Sequence, residues 1–330
     1  MTRGIQFPMF APQTEWVMPD GLKDLTGYKE IAIDLETNDP GLITSGSGSV
    51  VGRGHIAGIA VAVEGWSGYY PIQHENGGNI DKKLVFGWLQ EILNQENTTF
   101  IFHNAMYDVC WLRAAGLIIK GKIVDTMIAA SLVNENRFKF DLNSLAKEYV
   151  GIGKDENVLR IAAKDFGVDP KAEMWRMPAM YVGEYAERDA EVTLKLWQRL
   201  SIELHNEELM DIFNLETKLF PCLVDMRFKG VRVDLEHAAK LKKNLIIRED
   251  KILKNIKDLV GFDIEINAAR SIAKGFDKLK LPYDRTEKSN EPSFTKNFLQ
   301  NHPHPLPKAI ADAREINKAR TTFIDSITKH

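Results

Sequence analysis

The amino-acid sequence predicts an α/β protein built on a mixed sheet, followed by an all-helical region. Short strand-like runs alternate with helix-period segments over residues 28–208, two of the strand-like runs adjoin as a hairpin requires, and from Val182 onward the long patterns are helical. The boundaries expected are a lead-in at 1–27, an α/β domain at 28–208 and a basic helical domain at 209–330.

Residues 1–27 are broken by Pro and Gly and end near Pro19-Asp20-Gly21, a turn signal, so they read as a cover for the sheet. Ile31-Ala-Ile33 is a buried strand that carries Asp34 and Glu36 two residues apart, on one face of the pleat. A Gly/Ser-rich loop from Ser45 to Gly54 leads to strand-like runs at 55–63 and 68–72. The glycines at 46, 48 and 52 have the wrong spacing for a phosphate-binding turn, and no helix opens after them; a flexible hairpin-like loop is expected. No Gly-x-Gly-x-x-Gly joins the first strand to a helix, which excludes a Rossmann dinucleotide site.

Asp81 caps a helix whose apolar period runs to Leu93, and Thr98 to Phe102 is a short strand. His103-Asn104-Ala-Met-Tyr-Asp108 turns into a helix that stops at Gly116, with Asn104 and Asp108 at i and i+4. Ile123-Val124 is a further strand. Asp125 and Asp141 read as N-caps of the helices that follow them, residues 151–180 are less regular, and a helix of roughly 25 residues opens at Val182. Tyr185 and Asp189 lie one turn apart near its start, so a phenol and a carboxylate project from one face.

The formal net charge of −3 averages two unlike halves: residues 1–210 hold 20 Lys+Arg against 29 Asp+Glu, and residues 211–330 hold 23 against 17. An acidic half suits cations and a basic half suits a polyanion such as nucleic acid, although any single Lys is as readily explained as part of a solvated helix face. Cys110 and Cys222 offer neither a disulfide framework nor zinc spacing and read as reduced packing residues. No run approaches a membrane-spanning length, and Met1-Thr-Arg-Gly-Ile-Gln6 lacks the design of a signal peptide, so a soluble, cytoplasmic protein is expected.

An isolated Asp-x-Glu is most often a strand running into an acidic loop. Here Asp34 and Glu36 are joined by Asp108 and Asp189, each early in a helix, and carboxylates crowded together repel by several kcal/mol in a partly buried site. If they converge, an all-oxygen cage for two Mg²⁺ or Mn²⁺ ions results, the clamp used in phosphodiester hydrolysis. Tyr185, with an ordinary phenol pKa near 10, would orient the attacking water rather than deprotonate it.

Asp34-Leu-Glu36-Thr, Asn104-x-x-x-Asp108 and Tyr185-x-x-x-Asp189, in this order, resemble the three exonuclease motifs of the DEDDy group of 3′-5′ exonucleases. The resemblance implies a ribonuclease H-like fold with a mixed five-stranded sheet flanked by helices. It implies one metal on Asp34, Glu36 and Asp189, a second on Asp34 and a water network from Asp108, and Tyr185 on the nucleophilic water. Leu35, Thr37 and Asn104 would lie near the terminal nucleotide, with His103 beside them as a packing or supporting residue.

The second half narrows the family. Leu215 to Asp234 reads as a helix ending at Gly230, then Val-Arg-Val and a new cap, and a Lys-dense helix runs from Leu235 to Leu259. This helix, Gly-Val-x-Val-Asp, helix element resembles the passage from exonuclease to thumb in family A DNA polymerases. The likeness continues through Ile266-Asn267 to Leu279, Ser293-Phe294-Thr295 and Arg314 to Thr322, a tail that ribonuclease D-like RNA exonucleases would not carry. Lys240, Lys243, Lys251, Lys254, Lys318 and Arg320 are the candidate DNA-binding cations. No carboxylate constellation after Asp234 resembles a polymerase palm, so the chain is expected not to polymerise DNA by itself, as a fragment or as a subunit of a split polymerase of phage type whose partner chain supplies palm and fingers. The function implied is metal-dependent proofreading at a single-stranded or frayed DNA 3′ end, in the host cytoplasm if phage-encoded. An RNA 3′-5′ exonuclease and a non-catalytic DNA-binding or assembly subunit are the alternatives.

Overall fold

The computed structural model describes residues 13–153 and 156–328, which form two compact units, up to Gly230 and from Val231. In the first, β1 (Glu30–Asn38) is followed by the short α1 (Leu42–Ser45), then β2 (His55–Val63), β3 (Trp66–Pro71), α2 (Lys82–Leu93), β4 (Thr99–Phe102), α3 (Ala105–Ala114) and β5 (Lys122–Asp125). Helices α4 (Thr126–Val133), α5 (Leu142–Tyr149), α6 (Asn157–Phe166), α7 (Gly183–Asn206) and α8 (Met210–Lys229) complete it. Helix α6 falls inside the stretch expected to be irregular; it buries Leu159, Ala162, Ala163 and Phe166 on one face.

The sheet order is β3-β2-β1-β4-β5, antiparallel for β1–β2 and β2–β3 and parallel for β1–β4 and β4–β5. The pleat of β1 divides its side chains cleanly. Ile31, Ile33 and Leu35 pack with Ile59, Val61, Val85, Leu89 and Val109 on one face, while Ala32 meets Ala60, Ala62 and the apolar side of α7 on the other. The sheet is therefore sandwiched between helices, and Ala32, Ala60 and Ala62 lie on the face that carries Asp34 and Glu36.

The capping carboxylates act as the sequence indicates. Asp81 accepts from the backbone N–H groups of Lys83 and Leu84, and Asp141 from that of Ser144. Within residues 13–27, Leu25 is buried in the core beside the sheet and the Trp16 indole donates to Glu187 Oε1 of α7 at 2.9 Å; residues 1–12 of the lead-in lie outside the described residues. The first unit extends past the expected boundary at 208 because α8 inserts Phe213 into one core and Phe220 and Val224 into the other, burial worth about 2 kcal/mol or more per aromatic side chain. Cys110 is buried as expected, whereas Cys222 is exposed on α8 between the inward Phe220 and Val224; both are free thiols.

In the second unit α9 (Leu235–Val260), capped by Asp234, is followed by α10 (Ala269–Lys278), a small hairpin of β6 (Asp284–Arg285) and β7 (Pro292–Ser293), α11 (Lys296–Asn301), α12 (Pro305–Lys318), a π-helical segment over Ala319–Ile324 and α13 (Asp325–Ile327). The hairpin departs from the all-helical expectation. Phe276, Phe294, Leu299, Leu306 and Ile310 form the core of this unit. Among the described residues no helix is long and apolar enough to cross a membrane.

Candidate active site

The register of β1 and β2 pairs Asp34 with Ala60 and Glu36 with Gly58, placing both carboxylates on the α7 face of the sheet, and Glu36 is only 7% exposed. A bulge follows at Glu36/Thr37 and redirects the strand as it leaves the site. Asp108, in the first turn of α3, is 4% exposed and accepts a hydrogen bond from the Leu35 backbone N–H at 3.1 Å. Burial, and next the charge of Asp34, hold the Asp108 carboxyl well above the usual range.

Helix α7 presents Tyr185 and Asp189 one turn apart, Asp189 being 5% exposed. The Tyr185 phenol bonds to the Asp189 carboxylate and lies within the field of Glu36 and Asp34. Burial first, then those three carboxylates, push its ionisation far above the ordinary phenol value. All five residues singled out in the sequence thus interact electrostatically in one neighbourhood, although they come from β1, α3 and α7.

Asn104 does not occupy the helix face expected from its i, i+4 spacing to Asp108. It is the residue before α3, in the left-handed conformation (φ 64, ψ 52), which Asn tolerates better than most side chains. Its backbone N–H and that of Ala105 donate to the two oxygens of Asp125, at 3.0 and 2.8 Å. Asp125 also caps α4 through the Met127 N–H, so one carboxylate fixes the start of two helices and thereby the position of Asp108. His103 Nδ1 contacts Thr126 Oγ1 at 2.8 Å, and Thr126 in turn donates to the Phe102 carbonyl.

Leu35 turns away from the acids into the opposite core, leaving only its backbone N–H at the site. Thr37 Oγ1 lies 2.6 Å from the Tyr107 hydroxyl, which donates to Asp39 at 3.3 Å; Asp39 accepts from the Gly48 N–H and ties down the loop expected to be flexible. In the second unit Lys240, Lys243, Lys251, Lys254 and Lys318 are exposed. Arg320 is instead engaged with the buried Glu249 at 2.9 Å and with Asp325, so its guanidinium serves the fold of that unit.

The family described as 3′-5′ exonuclease matches residues 11–205. The chain belongs to the 3′-5′ exonuclease family of family A DNA polymerases. It is 33% identical over 338 residues to the DNA-directed DNA polymerase of Pseudomonas phage M6, covering 99% of this chain and 50% of that protein. With DNA polymerase I of Pseudomonas aeruginosa it is 27% identical, over 93% of this chain and 33% of the other. The chain spans about half the length, or less, of the curated relatives it matches. A solved structure of the polymerase domain of Pol1 from M. smegmatis, in complex with DNA primer-template and dNTP, superposes with a TM-score of 0.65 at 16% identity, over 91% of this chain and 47% of the other, a likeness of fold. The mixed five-stranded sheet flanked by helices is ribonuclease H-like.

Exonuclease domains of this family depend on divalent metal. Among the described residues no group of three or more His, Cys, Asp or Glu side chains is placed so as to hold a metal ion. The donor chemistry nonetheless fits a hard cation: the groups are carboxylates, and the pressure that Asp34 puts on Asp108 is what a bound dication relieves.

Two parts of the site had no sequence prediction. Tyr69, paired with Ala60 on β3, has its phenol in the field of Glu36 and Asp34, and its hydroxyl bonds to His74. Tyr107 secures Thr37 and Asp39. The alternation of 69–74 marks a strand and its exit; only the β1–β2–β3 register places Tyr69 on the acid row.

Proposed function

We propose that this chain removes nucleotides from the 3′ end of DNA by metal-dependent phosphodiester hydrolysis, as the proofreading part of a family A polymerase and with the DEDDy set Asp34, Glu36, Asp108, Tyr185 and Asp189. The observation that carries the reading is the position of Tyr185, which senses Asp189 on its own helix and both acids of β1. A phenol bonded to one carboxylate and within the field of two more suits a water that must be held in line with a phosphorus atom.

Asp34, Glu36 and Asp189 would hold one Mg²⁺ or Mn²⁺, and Asp34 with waters ordered by Asp108 a second. Such ions supply a nucleophilic hydroxide at neutral pH and offset charge on the phosphate and leaving oxygen. Burial raises the ionisation of Tyr185 above the ordinary phenol value, so it would orient the water by a hydrogen bond rather than act as the base. Asp108 anchors to the Leu35 N–H and keeps its other oxygen for the water network. Thr37 and Asn104, at the exits of β1 and β4, would border the terminal nucleotide. Backbone contacts and stacking would accept any base.

The exposed lysines of α9, with Lys318, would neutralise phosphates of DNA, and primer extension would need a palm and fingers from elsewhere in a longer chain or from a partner, working in the cytoplasm. Incubation with 3′-labelled single-stranded DNA and Mg²⁺ should release mononucleotides, with Asp34→Ala and Asp189→Ala slower by at least about a hundredfold, the scale on which a lost element of a catalytic unit acts. Equal rates for wild type and both variants would remove the assignment, and faster cleavage of RNA than of DNA would move it to an RNA 3′ exonuclease.

A further inference from the structure

The Tyr69 phenol lies across Gly58, the residue paired with Glu36: a Cβ built at Gly58 would fall 2.0 Å from the Tyr69 hydroxyl. Tyr69 is fully buried, and the charges of Glu36 and Asp34 reach it. Its hydroxyl is 2.7 Å from His74 Nε2, and His74 Nδ1 is 2.9 Å from the Met177 carbonyl oxygen. A carbonyl can only accept, so the Met177 contact puts the imidazole proton on Nδ1 and leaves Nε2 to accept from Tyr69. Burial holds His74 neutral by lowering its pKa to about 4, consistent with that tautomer.

This series of hydrogen bonds ends on the segment that feeds α7. The Glu75 N–H donates to the Trp175 carbonyl at 2.9 Å, Asn76 Nδ2 to the Arg176 carbonyl, and the Ala179 N–H to the Gly77 carbonyl at 3.3 Å. The Tyr69 backbone N–H also donates to Glu187 Oε1 at 2.9 Å, on α7 between Tyr185 and Asp189. Tyr69 is therefore joined to α7 through its backbone, and to the approach to α7 through its side chain.

We propose that Tyr69 and His74 are positioning residues of the exonuclease site: the phenol, imidazole and Met177 carbonyl form a strut that fixes how far the strand carrying Asp34 and Glu36 stands from the helix carrying Tyr185 and Asp189. The strut rests on the nuclease reading above and touches neither the DNA nor the reacting atoms. Supports of this kind typically change metal affinity or rate by about 10- to 100-fold.

Tyr69→Phe keeps the ring and removes one hydroxyl; His74→Leu removes the junction; His74→Gln offers one acceptor and one donor in its place. In the full chain, calorimetric titration with Mn²⁺ and steady-state cleavage of 3′-labelled single-stranded DNA are measured together. Tyr69→Phe and His74→Leu should each weaken Mn²⁺ binding and lower kcat by about tenfold or more, with KM for DNA within about twofold. The double variant should be no worse than either single one, because both break the same strut, and His74→Gln should recover most of the loss. Wild-type kcat and Mn²⁺ affinity in Tyr69→Phe would overturn the strut while leaving the nuclease reading intact. Strictly additive losses, or no recovery in His74→Gln, would also overturn it. A wild-type chain that neither binds Mn²⁺ nor cleaves DNA would remove both proposals.

Discussion

Replacing Asp108 by Asn should stabilise the metal-free protein while abolishing most of the proposed nuclease activity. Asp108 is 4% exposed, and burial together with Asp34 raises its ionisation well above the normal carboxylate range. Like charges crowded into one buried site repel by several kcal/mol even at an effective dielectric near 20, and desolvation adds to that cost. An Asn side-chain oxygen still accepts from the Leu35 N–H, so the variant sheds the repulsion and keeps the bond. A net gain of about 1–3 kcal/mol is expected once weakened polar interactions are allowed for, which for a unit of this size is a rise in Tm of about 3–10 °C. The folded-state value lies above the unfolded one, so the native state holds this proton longer and stability falls as pH rises from about 4. The advantage of Asn should therefore be absent near pH 4 and grow toward neutrality. Calorimetric melts of both proteins in EDTA at several pH values test this, and repeating them with Mg²⁺ should narrow the difference, since the wild type gains more from binding. An Asn variant no more stable than wild type at pH 7 without metal, or a difference independent of pH, would refute the electrostatic reasoning.

Neutral, buried His74 should sustain stability that disappears as pH falls from about 6.5 to about 4, because the unfolded imidazole takes up its proton first; the sum approaches about 3 kcal/mol. His74→Gln should flatten that acid limb of a Tm-versus-pH curve, and an unaltered limb would count against the neutral assignment. Gly58→Ala should destabilise the first unit by about 1–3 kcal/mol through collision with Tyr69 and be visible in urea unfolding; a neutral effect would mean that the ring moves aside. A fragment ending at residue 230 should unfold cooperatively, whereas one ending at 208 lacks Phe213, Phe220 and Val224 and should bind a hydrophobic dye; equal cooperativity would remove the case for α8 as part of that unit. Changing Lys240, Lys243, Lys251 and Lys254 to Gln should shallow the salt dependence of single-strand binding by about 0.7 for each phosphate that is no longer neutralised, and an unchanged slope would exclude them from the DNA path.

Much of the site could be read from the sequence because its signals are periodic. Alternation along Ile31 to Glu36 fixes the face of the two acids, and a spacing of four within α7 is enough to pair Tyr185 with Asp189. The same arithmetic fails at Asn104, where the chain is left-handed and the helix starts one residue later, held by a carboxylate twenty-one residues further on. Asp125 reads as a cap and is one; its second task at α3 depends on the parallel pairing of β4 and β5, which no local pattern reveals. Tyr69 and His74 are hidden for the same reason, since their significance follows from register across β1, β2 and β3. The π-helical turn that engages Arg320 with Glu249 rests on packing between α9 and α12, across seventy-one residues of sequence.

The most direct test of the central claim is a crystal of the protein soaked in Mn²⁺ and measured at the manganese absorption edge. Two anomalous peaks among Asp34, Glu36, Asp108 and Asp189, with Tyr185 beside them, are the predicted result. Full-length density for these side chains with manganese bound elsewhere, or nowhere, would contradict the account.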